Sequence, residues 1–165
     1  MENAEYGVKK EVHKKQPNSS SCFACGLENS NGLGLTFYEV GPEEVRAWCT
    51  IPKHFEGYPG VVHGGIVATM LDEIAGRAVM IGEHNHLRFT AKLELRYRHP
   101  VPSEQAITLR GTVVRRRGRL ATAHSELILP DGTVAAEADV ILADHPDIAG
   151  DGSILETLDW KVTPD

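Results

Sequence analysis

The sequence predicts an α+β domain in which an antiparallel sheet wraps one long helix. Three observations predict it. Only residues 64 to about 81 carry a sustained helical pattern. After Gly82, apolar residues recur at every second position. Short turns join those later segments, and short connections require antiparallel neighbours. A lone helix with one apolar stripe must cover an apolar surface, and the sheet supplies it.

The elements follow in chain order. Residues 33–40 (LGLTFYEV) read as a strand, Gly41-Pro42 as a turn, and residues 44–51 (EVRAWCTI) as the hairpin partner. Residues 52–62 form a loop rich in glycine and proline. In the helix, Val67, Leu71, Ile74, Ala75 and Ala78 make one stripe. Leu93, Leu95 and Tyr97 then alternate with Lys92, Glu94, Arg96 and Arg98. Ile107, Leu109, Gly111 and Val113 share a face of the next strand, and Ala121, Ala123, Ser125, Leu127 and Leu129 a face of the one after. Asp131-Gly132 reads as a two-residue hairpin turn, and Val134, Ala136, Ala138, Val140 and Leu142 line the return strand. Residues 1–21 are polar and read as a flexible arm or short helix, 22–144 as the domain, and 145–165 as a polar tail with Trp160 as its docking anchor.

Composition narrows the function classes. The 165 residues suffice for one domain with a sizeable core, and 41% hydrophobic with 24% charged content is ordinary for a globular protein. A net charge of -6 argues against a dedicated nucleic-acid binder. No apolar run is long enough for a membrane span, and the N-terminal stretch lacks a signal-like apolar region, so no membrane partner and a cytoplasmic location are expected. Three cysteines do not make a disulfide framework, and reduced thiols are expected.

Candidate chemistry concentrates in VVHGGIVATMLDEIAG. His63-Gly64-Gly65 opens the helix, and Asp72 follows among small residues, Ala68, Ala75 and Gly76. Unpaired amides at a helix start attract an anionic oxygen. A carboxylate in apolar surroundings activates water or attacks a carbonyl. At a rise of about 1.5 Å per residue, Asp72 lies about 11 Å from the glycine pair, too far for both to act on one carbonyl. A second, antiparallel copy of the helix bridges that gap, so the geometry calls for a two-fold dimer. His63 can orient a carbonyl or hold the loop by a hydrogen bond, and the structural role is the expected one. Glu73, the rival acid, lies about 100° further round and reads as a solvated ion pair with Arg77 at i+4.

At these residues the chain resembles hotdog-fold acyl-CoA thioesterases of the PaaI-like branch of the thioesterase superfamily. FEGYPGVVHGGIVATMLDEIAG (55–76) matches the family's Gly-Tyr/Trp-Pro-Gly loop, its His-Gly-Gly turn and the acidic residue nine positions after the histidine. RFTAKLELRYRHPVP (88–102) is similar to the strand after the helix, and CFACGLENSNGLGLTF (22–37) to the opening of many members. The resemblance spans about residues 22–144. It implies that Asp72 is nucleophile or general base, that Gly64 and Gly65, with His63 beside them, polarise the thioester carbonyl, and that Thr90 helps hold the water or the acid. It also implies a site at a dimer interface, with dimers often pairing into tetramers. One departure concerns the position six before the histidine, where some relatives carry Asn or Gln and this chain has Gly57.

Remaining signals are weaker. Cys22-x-x-Cys25 invites a metal or redox reading, but Cys49 is far away and a four-ligand site would need His13 or His54. The pair is read as packing in the segment over the active-site mouth, with no metal and no cofactor. Arg115, Arg116, Arg117 and Arg119 form a basic turn, a candidate receiver for coenzyme A phosphates or a solvated hairpin tip. No aromatic residues interleave with those arginines, as nucleic-acid binding would require. His84 and His86 read as surface histidines without acidic partners. The expected activity is acyl-CoA thioester hydrolysis. The alternatives are a non-catalytic acyl-CoA-binding protein of the same fold and, ranked lower, an enoyl-CoA hydratase, which would place its Asp before its His.

Overall fold

The computed structural model describes residues 13–145 and 152–165. The first twelve residues of the expected arm and residues 146–151 of the tail lie outside them. The strands are β1 (Lys14–Lys15), β2 (Tyr38–Glu39), β3 (Glu44–Thr50), β4 (Glu56–Tyr58), β5 (Val61–Val62), β6 (Arg88–Tyr97), β7 (Ala106–Arg117), β8 (Leu120–Ile128) and β9 (Val134–Asp144). Helix α1 (Gly64–Val79) precedes β6, and α2 (Gly152–Thr157) follows β9. Seven strands form one antiparallel sheet in the order β1-β2-β3-β7-β8-β9-β6, while β4 and β5 form a separate hairpin.

Helix α1 crosses the middle of the sheet, chiefly over β7 and β8. The predicted stripe is the buried one: Val67, Leu71, Ile74, Ala75 and Ala78 are all in the core. They meet Leu109, Ala123, Leu127, Ala138 and Val140 from the sheet. Gly111 marks the closest approach, because a Cβ there would overlap the Ile74 carbonyl. No described helix is long and apolar enough to cross a membrane.

Four expectations are corrected. The strand over residues 33–40 shortens to β2. Before it, the Leu33 and Leu35 amides donate to the carbonyls of Phe23 and Ala24 at 2.8 and 2.9 Å, so this stretch pairs with the turn at 22–26 and not with the sheet. The arm is packed from Lys14 onward: β1 pairs with β2, and Gln16, Asn18 and Ser19 are buried. Polar composition suggested solvent, but these side chains satisfy buried carbonyls. Asn18 Nδ2 donates to Cys25 and Leu35 oxygens, and Gln16 Nε2 donates to the Arg77 oxygen.

The β8–β9 hairpin is where Asp131-Gly132 places it, with a longer loop. Leu129 N donates to Thr133 O and Gly132 N to Leu129 O, with Gly132 at φ +88°. Pro130, Asp131 and Gly132 thus form a three-residue loop ending in a left-handed glycine. The fourth correction concerns β6. Its alternation does not produce a buried face within one chain, because Phe89, Leu93 and Tyr97 are 46%, 36% and 54% exposed. β6 bonds only to β9, so its outer edge closes no ladder among the described residues.

Candidate active site

The helix start is organised by His63. It is the N-cap of α1, and its Nδ1 accepts from Gly65 N at 2.9 Å. Its carbonyl accepts from the amides of Ile66 and Val67. Of the four leading amides of α1, Gly64 alone has no partner among the described residues. This separates the glycine pair. Gly65, expected as a carbonyl donor, is committed to the cap, and Gly64 N–H remains available. With Nδ1 accepting, the neutral imidazole carries its proton on Nε2, which makes His63 a second potential donor.

The surroundings explain the glycines. Tyr97 Oη donates to Gly64 O at 2.7 Å, and a Cβ at Gly64 would lie 3.4 Å from that hydroxyl. A Cβ at Gly65 would lie 3.1 Å from His63 Nδ1, and one at Gly57 would lie 3.2 Å from His63 Cδ2. Position 57 therefore faces the imidazole, where this chain leaves space. Gly57, His63, Gly64 and Tyr97 border a cavity of about 490 Å³. Tyr97 was missed from sequence. It is visible there only as one apolar position of β6, and nothing local says that it meets Gly64.

The acid lies further along α1. Thr90 Oγ1, on β6, donates to Asp72 Oδ1 at 2.7 Å. Burial raises the Asp72 pKa above the ordinary carboxylate value, the Thr90 hydrogen bond opposes that rise, and the charge of Glu73 adds to it. Asp72 and Thr90 border a second cavity, of about 420 Å³, whose apolar wall includes Val79, Met80 and Leu142. The C-terminal segment closes part of it through Ile154, Leu158 and Trp160. Trp160 is indeed anchored, its Nε1 donating to His84 O at 2.9 Å.

The two cavities share no lining residue. Within one chain the acid and the free amide open into different spaces, as the rise along the helix requires.

The other candidates divide. Arg115, Arg116, Arg117 and Arg119 sit exposed at the β7–β8 tip, outside both cavities. Arg116 Nη2 donates to Val79 O at the end of α1, at 3.4 Å. The Glu73–Arg77 pair forms at 2.9 Å, but the solvated reading is corrected: the guanidinium is buried between the rings of Phe37 and Trp160 and donates to Pro17 O. His84 and His86 are half-buried and do have acidic partners, Glu39 and Asp144. Cys22 and Cys25 line the cavity that holds Asp72. The Cys22 thiol is lowered to about 6, chiefly by the hydrogen bond from Cys25, while that same bond and burial push Cys25 up.

Comparison with known proteins agrees with this architecture. The family model for the thioesterase superfamily matches residues 59–136, from the loop before α1 into β9. The acyl-coenzyme A thioesterase THEM4 of Rattus norvegicus is 29% identical over 107 residues, covering 64% of this chain and 45% of that protein. The chain thus spans about half the length of the relatives it matches. The crystal structure of RHA08564, a thioesterase superfamily protein, superposes with a TM-score of 0.69 at 29% identity, over 74% of this chain and 60% of that one. A hypothetical thioesterase of Streptococcus pneumoniae, solved with coenzyme A, shares the fold with a TM-score of 0.61 at 16% identity, over 67% of this chain and 85% of that one.

Proposed function

We propose that this hotdog-fold chain, whose residues 59–136 match the thioesterase superfamily model, hydrolyses acyl-CoA thioesters to the free acid and coenzyme A, with each reaction centre shared between two subunits. The observation that carries this reading is the separation of the Thr90-held Asp72 from the free Gly64 amide into cavities without a common residue. A two-fold pairing of antiparallel α1 helices sets the acid of one copy against the helix start of the other. The exposed side chains of β6 and its open edge are the surface that such a pairing would cover.

In this mechanism Gly64 N–H, with His63 Nε2–H beside it, polarises the thioester carbonyl. Asp72 of the partner subunit takes a proton from water as the water oxygen adds to the carbonyl carbon. The oxyanion is held by the same donors, and its collapse breaks the C–S bond. The departing thiolate takes up a proton to give coenzyme A. In the nucleophilic variant, the Asp72 carboxylate adds first and water then cleaves the mixed anhydride. In this reading the exposed Arg115, Arg117 and Arg119 attract the coenzyme A phosphates. The names of the rat and streptococcal relatives, a thioesterase of acyl-coenzyme A and a protein solved with coenzyme A, support this substrate class. The hydratase reading loses support, because His63 Nδ1 is engaged by Gly65 and its remaining nitrogen is a donor, not a base.

Thiol release from short, long and aryl acyl-CoA esters tests the activity. Complementation tests the shared site. Asp72→Asn and Gly64→Pro, which removes the donor amide, should each be inactive as homodimers. Co-refolded in equal amounts, half of the molecules are mixed dimers with one intact centre each. About a quarter of wild-type activity should return. No recovery from demonstrably mixed dimers would overturn the shared centre.

A further inference from the structure

Beside the proposed reaction centre lies a group of ligating atoms that the hydrolysis does not use. Residues 22–26 (CFACG) form a tight turn, in which Gly26 N donates to Cys22 O at 2.8 Å and a Cβ at Gly26 would overlap that oxygen. The turn aims the Ala24 and Cys25 amides at Cys22 Sγ, at 3.3 and 3.5 Å. Two N–H donors on one sulfur favour its thiolate, the form that ligates metals. The turn is itself held, since Asn18 Nδ2 donates to Cys25 O at 2.7 Å.

The third group comes from α1. The two thiol sulfurs and a Glu73 carboxylate oxygen all lie within 4.8 Å of one another. A tetrahedral zinc ion holds sulfur and oxygen ligand atoms about 3.5 Å apart, so a contraction of at most about 1.3 Å closes the set. We propose that Cys22, Cys25 and Glu73 bind a zinc ion. Three protein ligands leave one tetrahedral position, and all three residues border the cavity that holds Asp72. The open position is thus available to water or to a group that enters that cavity.

The surroundings suit the ion. Arg77 Nε donates to Glu73 Oε1 at 2.9 Å, which orients the carboxylate as an outer-shell partner does. With both thiols deprotonated, the three ligands are balanced by the divalent ion and the Arg77 guanidinium. His13 and His54, the partners that spacing alone suggested, lie instead against the rings of Trp48 and Phe55. Bound zinc would fasten the turn at 22–26 to the helix that carries Asp72.

The test uses the full chain, reduced and stripped with a chelator. Cobalt(II) titration should produce a thiolate-to-cobalt charge-transfer band and the d–d bands of a tetrahedral site, and zinc should displace the cobalt at one ion per chain. Glu73→Gln retains an acceptor for Arg77 but loses the anionic ligand. It should weaken zinc binding by at least about tenfold, measured against a chromophoric chelator, with an unchanged circular dichroism spectrum. The Cys22→Ser, Cys25→Ser double variant should lose the charge-transfer band. Absence of that band in the reduced wild type overturns the proposal, as does a wild-type band in the double variant or undiminished affinity in Glu73→Gln. A Cys22–Cys25 disulfide forming in a protein that takes up no metal when reduced assigns the pair to redox chemistry and overturns it too.

Discussion

Asp72 is a half-buried carboxylate with one hydrogen-bond donor, Thr90, and one charged neighbour, Glu73. Desolvation disfavours its ionised form, which is the form the proposed reaction needs. The pH profile of kcat/KM should therefore fall on the acid side through a pKa above the ordinary carboxylate value. Thr90→Val removes the interaction that holds that pKa down, so its acid limb should move to higher pH; an unshifted limb would separate Thr90 from the acid. Asp72→Asn should lower kcat by at least about a hundredfold. It should also melt higher than the wild type at pH 7. The sign follows from linkage: a carboxyl whose native pKa is raised binds its proton more tightly when folded, so stability is lost as pH rises from the unfolded value through the folded one. The gain of the Asn variant should vanish below the unfolded carboxylate pKa. Equal melting temperatures at every pH would contradict the desolvation argument.

Helix α1 is positioned by two contacts that differ in how visible they are in the sequence. Gly111 is recognisable as a glycine on the inner face of a strand, a common mark of close backbone approach. Its partner, the Ile74 carbonyl, is known only from the crossing of helix and sheet. Gly111→Ala should cost about 2–3 kcal/mol through the forced shift of α1, read from the denaturation midpoint at constant slope. Arg77 is the converse case. Its i+4 spacing from Glu73 is legible, but its burial is not, because the groups that cover it, Pro17, Phe37 and Trp160, lie in three distant segments. Arg77→Ala leaves Glu73 without its cation and removes both ring contacts. It should destabilise by about 3 kcal/mol, where an exposed i,i+4 pair would cost a few tenths. A loss that small would restore the solvated reading.

On the scale of the molecule, β6 is a ten-residue edge strand carrying exposed Phe89, Leu93 and Tyr97. Such an edge ordinarily needs a partner or a protective charge. If β6 forms the subunit interface, Leu93→Asp should yield a folded monomer by light scattering with little thiol-release activity, since each half-site loses its complement. A wild-type protein that is monomeric and fully active would remove the dimer from the mechanism.

The sequence by itself determined the kinds and order of the main elements, because periods of 3.6 and 2 are local properties of the chain. It also determined that a carboxylate stands two turns beyond a glycine-led helix start, because the rise per residue is a constant of the helix. Tertiary structure decided which residues of separate elements meet: Thr90 with Asp72, as the resemblance implied, Tyr97 with Gly64, and Glu73 with the two thiols. It also decided that the segment from Lys14 is packed, since polar residues read as solvated until the buried carbonyls they satisfy are known. Those three meetings join residues that the chain order keeps apart. They depend on where a helix crosses a sheet and how a strand is registered, and a pattern of polar and apolar letters carries neither quantity.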